Sequence, residues 1–365
     1  MKIKDIIQQL EKIAPPSLQE SYDNSRLLVG SKDQKVNQLL LSLDCTEVVV
    51  QEAIDRKCEM IVAHHPIVFS GLKSLTGKNY IERTVIKAIK NNIAIYAIHT
   101  NLDNVYHGVN QKIAEKLGLK NTKILSPKKE LLQKLVFFCP VKDSEKVRAA
   151  IFKAGAGQIG DYDACSFNLK GEGTFRAGEN TNPHVGEKGK LHKEEEHRVE
   201  VVLPNYLEAK VIAALKKAHP YEEVAYDLYS LRNSWEQVGS GMIGDLEEEQ
   251  DFQAFLKSLK SKLNTPLIRH TKLHKKKVKK VALCGGAGSF LLNAAKAKGA
   301  DVFITGDYKY HQFFDAEDEI VIADVGHYES EQFTPELLQE FLMENLPELS
   351  TKLVQTNTNP ISYLT

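Results

Sequence analysis

Net charge is the first thing the chain lacks: 48 Lys and Arg stand against 48 Asp and Glu in 365 residues. A dedicated polyanion binder rests on a basic surplus, so the balance speaks against nucleic acid as the partner. Long apolar runs are also missing. Stretches such as 135–140 fall far short of the ~20 residues a membrane span needs. No uninterrupted apolar leader is present, because Asp5 and Glu11 interrupt the N-terminal helical pattern, so export is not expected. Cysteine is scarce and unpatterned. Cys45, Cys58, Cys139, Cys165 and Cys284 are odd in number and never in CxxC spacing, which excludes a disulfide framework. They read as reduced, buried thiols in a cytoplasmic protein. What remains is ordinary for a soluble globular chain: 42% hydrophobic and 26% charged residues. At roughly 150 residues per domain, the length implies two or three domains.

The first stretch alternates helix and strand. Ile3, Ile6, Ile7, Leu10 and Ile13 recur at three- and four-residue steps, which predicts an amphipathic helix stopped by Pro15 and Pro16. Short apolar strands follow at 36–44, 60–63 and 93–98, separated by helices at 46–56 and 80–91, with a third helix at 109–117. This rhythm implies parallel pairing in a sheet covered on both faces. From about residue 238 it resumes, with strands at 279–284, 302–304 and 320–322, a helix at 291–298 and a long helix over 331–343.

The middle reads differently. Between Glu130 and Arg232 the order is strand, helix, strand, strand, helix, strand, the split form of ferredoxin-like domains. A Gly-, Lys- and Glu-rich stretch at 171–198 reads as a mobile loop inside it. The fold expected is therefore an α/β core in two parts, residues 1–127 and 237–365, with a ferredoxin-like α+β domain inserted over 128–236. Ser126–Lys129 and Asn233-Ser234 are the expected linkers.

The groups that carry chemistry gather at strand ends. His64 and His65 follow the strand at 60–63, and His99 and Asp103 follow that at 93–98. His327 follows the strand at 320–322, with Glu331 four residues on, so a helix starting near His327 projects both from one face. Asp44 fits the same edge, whereas Asp23 reads as the cap of a turn. In an open α/β sheet, ligand sites lie outside the carboxyl ends of the strands. Five groups, His64, His65, Asp103, His327 and Glu331, are thus placed to converge at one edge. Imidazole nitrogen with carboxylate oxygen suits zinc, iron, manganese or nickel, whereas calcium takes oxygen alone. Adjacent histidines on a non-helical segment point apart, which fits two neighbouring ions bridged by carboxylates roughly 3.5–4 Å apart.

A second signal is the strand at 281–284 running into Gly285, Gly286 and Gly288 before a helix. Its backbone amides offer an anion cradle, and a tight turn without a ligand is the other reading. Asp307 reads as a helix cap, and His311 as a cap neighbour or as a proton donor near the metals.

The strings Ala63–Pro66, His99–Asp103, Cys284–Gly288, Thr305–Asp307 and Gly326–Glu331 resemble the Nif-three-like family. Its members are labelled dinuclear-metal-centre proteins or GTP cyclohydrolase 1 type 2 homologues. The middle stretch, with His219–Glu223, resembles the PII-like insert of longer members. The resemblance implies two divalent metal ions held by His64, His65, Asp103, His327 and Glu331, and a toroidal homohexamer with the sites facing an inner cavity.

Two functions compete. The first is a metal-dependent hydrolase of GTP cyclohydrolase type, acting on a nucleotide or related small molecule. One ion would acidify water and the other polarise the bond under attack, which for a guanine nucleotide lies at C8. The glycine turn would hold phosphate, and His99 or His311 would shuttle protons. The second is a non-catalytic scaffold whose metals lock the fold while the insert senses a small molecule or protein. Five ligands for two ions leave open coordination positions, which favours catalysis.

Overall fold

The computed structural model describes residues 1–364; Thr365, the last residue of the expected third segment, lies outside the described residues. Two compact units form. Met1–Ser126 joins the chain from Gln237 onward in the first, and Pro127–Glu236 makes the second.

In the first unit, helix α1 (Ile3–Ile13) buries Ile3, Ile6, Ile7 and Leu10, and Asp5 accepts the Lys2 amide hydrogen at its start. Strand β1 (Leu27–Val29) was not foreseen. Strand β2 (Gln38–Ser42), helix α2 (Glu47–Asp55), strand β3 (Met60–Ala63), helix α3 (Tyr80–Lys90) and strand β4 (Ala94–Ala97) follow in the expected rhythm. Thr46 caps α2 by accepting from Val49 N–H, and Asn79 caps α3 by accepting from Glu82 N–H. Short helix α4 (Thr100–Asp103) leads to α5 (Val109–Leu117), which ends where Gly118 turns left-handed. Strand β5 (Lys120–Lys129) then runs through the residues expected to be the first linker.

The second unit holds β6 (Leu132–Pro140), α6 (Ser144–Lys153), β7 (Phe167–Arg176), β8 (Leu191–Pro204), α7 (Glu208–Ala218) and β9 (Tyr226–Leu231). Its strands lie in the order β7-β8-β6-β9, all antiparallel. Leu135, Phe137, Val199 and Val201 of the sheet bury against Val147 and Ile151 of α6 and Val211 and Leu215 of α7. Half of the stretch expected as a mobile loop is strand here. Residues 171–176 pair with 191–196 in register, and 177–190 connect them; a diagonal ion pair between Glu172 and Lys193 crosses the ladder.

The chain returns through β10 (Ser234–Asp251), which absorbs part of the second expected linker. Helix α8 (Phe252–Lys262), not foreseen, buries Phe252, Phe255, Leu256 and Leu259 and is capped by Asp251. Strands β11 (Arg269–His270) and β12 (Lys277–Leu283), helix α9 (Leu292–Ala297), strands β13 (Val302–Thr305) and β14 (Val321–Asp324), helices α10 (His327–Glu331) and α11 (Thr334–Asn345), and strand β15 (Ser350–Leu353) complete it. The expected single helix over 331–343 is thus two. Pro335, in the first turn of α11, has no amide hydrogen with which to continue from α10.

The expected single parallel sheet is also two mixed sheets. One has the order β1-β4-β3-β2-β15 and the other β11-β14-β13-β12-β10-β5. Strands β15, β2, β3 and β4 run parallel, as do β12, β13 and β14, while β1, β10 and β11 pair antiparallel with β4, β12 and β14. Leu39, Leu40, Leu41, Ile61, Val62 and Ile95 are fully buried, as expected where helices cover both faces. No described helix is long and apolar enough to cross a membrane.

Candidate metal centre

The segments that follow parallel strands β2, β3, β4, β12, β13 and β14 deliver the chemical groups. From the first sheet, β2 leads to Asp44, β3 to His64 and His65, and β4 to His99 and then Asp103 on α4. From the second, β12 leads to Gly285 and Gly286, β13 to Asp307, and β14 to His327 and Glu331 on α10. The carboxyl ends of the two sheets therefore meet at one place, where side chains are free of the strand ladders.

Glu331 is at its centre. Its Oε2 lies 3.0 Å from His65 Nε2 and 3.1 Å from His327 Nε2, and its Oε1 lies 4.0 Å from His64 Nε2. His64 Nε2 is 3.5 Å from Asp103 Oδ1. Three overlapping groups have donor atoms close enough for one ion: His65, His327 and Glu331; His64, Asp103 and Glu331; and His64, His65 and His99.

The opposite ring nitrogens are all taken. His65 Nδ1 hydrogen-bonds Asp44 Oδ1 at 2.7 Å, His327 Nδ1 hydrogen-bonds Asp307 Oδ2 at 2.7 Å, and His99 Nδ1 hydrogen-bonds Asp23 Oδ1 at 2.9 Å. His64 Nδ1 donates to the Ile98 carbonyl at 2.8 Å. An imidazole whose Nδ1–H is committed presents Nε2 as its ligand atom, the arrangement of metal-bound histidines. Asp307 reaches His327 from a left-handed backbone, φ 58°, uncommon for a residue with a side chain.

The electrostatics match a cation. Burial keeps His64 neutral, its pKa lowered to about 3. Burial also opposes charge on His65 and His327, but Asp44 and Glu331 lift the first to about 10, and Asp307 and Glu331 lift the second to about 11. Burial disfavours the Glu331 carboxylate, yet His327 and His65 hold it well below the usual range. Burial and the charge of Glu331 push Asp103 up. Two buried atoms, His64 Nε2 and Asp103 Oδ1, face each other with no hydrogen-bond partner. Buried polar atoms are almost always paired, so this pair fits a missing ligand between them. The nitrogen and carboxylate donor set suits zinc or a first-row transition ion.

Other expectations change. The glycines are not an anion cradle. Gly285 N–H donates to Asn110 Oδ1, Gly286 N–H to Ser330 Oγ and Gly288 N–H to Thr305 Oγ1, leaving those amides no capacity for phosphate. What they supply is room: a Cβ on Gly286, whose φ is +60°, would overlap Glu331 Oε1. His311 is exposed, with its ring against Tyr310 and Phe314, and belongs to none of the three ligand groups, so no contact in the structure supports it as a proton donor. Asp307 caps no helix, since the following 3₁₀ turn starts after Lys309. Asp23, read as a turn cap, is buried against His99 and Thr100. Nothing in its local sequence could have shown that, because the partner lies 76 positions away.

Residues 1–360 match the family Duf34/NIF3 (NGG1p interacting factor 3). The chain belongs to this family. As a DUF34/NIF3 member it is 40% identical over 364 residues to a protein named GTP cyclohydrolase 1 type 2 homolog from Halalkalibacterium halodurans, covering 98% of each chain. A protein of the same name from Bacillus subtilis is 36% identical over 371 residues, with 99% of this chain and 98% of the relative covered. Among solved structures, a Bacillus cereus protein related to NIF3 superposes with a TM-score of 0.87 at 40% identity, covering 100% of this chain and 99% of that one. The mixed α/β architecture with several sheets is thus that of NIF3 structures.

Proposed function

We propose that this DUF34/NIF3 protein is a dinuclear-metal-dependent hydrolase acting on a nucleotide or related small molecule. The observation that carries it is the unpartnered pair His64 Nε2 and Asp103 Oδ1 beside a carboxylate shared with His65 and His327. His64, Asp103 and Glu331 would hold one ion and His65, His327 and Glu331 a second, chosen among zinc, iron, manganese and nickel. Two such ions, when bound, supply Lewis acidity to the bond under attack and acidify water. The chain does the rest. Asp44 and Asp307 fix the ring orientations of His65 and His327, and Asp23 fixes His99 with Nε2 as its free nitrogen. His99 would then move the proton at Nε2. The substrate class follows the relatives' name, GTP cyclohydrolase 1 type 2 homolog.

Further proposals rest on the family resemblance: a toroidal homohexamer, a cytoplasmic location, and a PII-like insert over residues 128–236 between core segments 1–127 and 237–365. The strand order β7-β8-β6-β9 with two helices on the sheet supports a ferredoxin-like reading of that insert. The test is elemental analysis of protein purified without chelator, paired with turnover of the metal-reconstituted protein on a nucleotide panel. Two ions per chain and turnover that Glu331→Gln abolishes are expected. Absence of metal after reconstitution would overturn the reading, and metal without turnover would leave the scaffold.

A further inference from the structure

The second unit contains a cavity of about 660 Å³, bounded by β7, β8, the end of β6 and the turns at 181–184 and 221–225. Phe138, Leu169, Phe175, Pro183 and Tyr221 give it an apolar, largely aromatic wall. That volume lies within the range of small-molecule sites. The connection between β7 and β8 is tied over it, because the Asn182 amide donates to the Glu222 carboxylate at 2.9 Å.

One acid stands in this wall. Glu196 is 9% exposed and makes no ion pair among the described residues, and its carboxylate has the Tyr221 hydroxyl as a hydrogen-bond partner. A carboxylate has about four acceptor positions, so one hydroxyl leaves most of its capacity open to a ligand in the cavity. Burial, that hydrogen bond and the Glu196 charge together raise the Tyr221 pKa. Space for the acid is built in: a Cβ on Gly173 would overlap the Glu196 carboxylate. The five-residue aromatic and apolar wall, the carboxylate and the hydroxyl bonded to it form one constellation.

We infer that this cavity binds a planar nitrogen heterocycle presenting two adjacent N–H donors to the Glu196 carboxylate. The two carboxylate oxygens accept the pair of donors side by side, and the ring lies against Phe138, Phe175 and Tyr221. An aliphatic guanidinium would satisfy the carboxylate and leave the aromatic wall unused. An adenine edge offers one donor beside an acceptor, which the carboxylate repels. The fitting edge occurs in guanine nucleotides and in pterins. Arg176 lines the same cavity and forms no ion pair among the described residues, so a phosphate-bearing ligand would find a partner there.

No residue of this cavity belongs to the metal-ligand groups, so its test does not depend on turnover. Isothermal titration of the full-length protein, with and without chelator, would use guanosine, GTP, neopterin, adenosine and agmatine as probes. Guanosine or neopterin should bind equally in both conditions and far more tightly than adenosine or agmatine. Tighter GTP than guanosine would point to a nucleotide source, and tighter neopterin to a pterin. Glu196→Gln should weaken binding roughly 10- to 100-fold, since its amide presents a donor to a donor. Gly173→Ala should do the same by displacing the carboxylate, with unchanged thermal unfolding of both variants as the check on folding. No binding of guanosine, GTP or neopterin, or binding that Glu196→Gln leaves unchanged in a folded protein, would overturn the inference. So would agmatine binding as tightly as the rings.

Discussion

The Nε2 atoms of His65 and His327 lie 3.4 Å apart, and both approach the same oxygen of Glu331. Two ring nitrogens this close are compatible only if a proton or another cation sits between each of them and the carboxylate. His65→Ala is therefore expected to lose at least one of two bound ions, read by elemental analysis. Its far-UV circular dichroism should stay unchanged, because His65 stands on a loop outside the buried core. Global unfolding of the variant would contradict this.

Glu331→Gln should cost more metal than Asp103→Asn. Glu331 belongs to two of the three-residue groups and Asp103 to one. The amide keeps the shape but removes negative charge from between the cations. Stoichiometry falling toward zero for the first variant and toward one for the second is the expected pattern. Equal losses would mean that the carboxylate is not shared.

Asp44→Asn and Asp307→Asn touch no ion in the proposed arrangement, yet each should weaken metal affinity about 10- to 100-fold. They set the tautomer and orientation of His65 and His327 through hydrogen bonds of 2.7 Å. Competition with a chromogenic chelator measures this directly. Wild-type affinity in both variants would remove the orienting role.

The two remaining histidines separate by turnover. His99→Ala should lower the rate about 10²- to 10⁴-fold, the usual loss of a general acid or base. His311→Ala should leave it unchanged, since that ring packs on Tyr310 and Phe314. A large effect at His311 would place it in a site formed by more than one chain.

His219 gives a pH dependence remote from the metal centre. Burial lowers its pKa below 6.5, with Nε2–H donating to the Phe138 carbonyl and Nδ1 accepting from Tyr221 N–H. Above 6.5 both folded and unfolded chains hold it neutral. Below 6.5 the unfolded chain takes the proton first, so stability falls as pH drops toward the folded value. Urea unfolding followed at Trp235, the single tryptophan, reports on this unit. Between about pH 7.5 and about pH 5.5 the wild type should lose more stability than His219→Gln, by at most about 1.4 kcal/mol per pH unit. Parallel losses would contradict the assignment.

Much of the core was legible because its signals are local. The run 60–63 is a buried strand by composition, and a histidine pair after it falls at a strand end. The pairing of strands into two sheets was not, since apolar runs look alike in either sheet and nothing near them says which neighbour they take. The end of β5, residues 126–129, and the start of β10 are polar enough to read as linkers. The strand-glycine-helix string at 281–292 fits an anion cradle or a close approach of a carboxylate equally well. Asn110, Ser330 and Thr305 decide between them, and all three come from elsewhere in the chain. Asp23 and Asp307 failed for the same reason, because an orienting carboxylate is defined by a distant imidazole.

Strand β15 pairs with β2, and Glu331 meets a histidine 266 positions earlier in the chain. During synthesis at roughly 5–20 residues per second, those 266 residues take about 13–53 s to emerge. Throughout that interval the nascent chain displays His64, His65 and Asp103 without the carboxylate that joins them. The order of translation thus postpones completion of the centre until the last helices and strand have left the ribosome. Selection of the ion falls to the finished protein, in whatever metal pool surrounds it then.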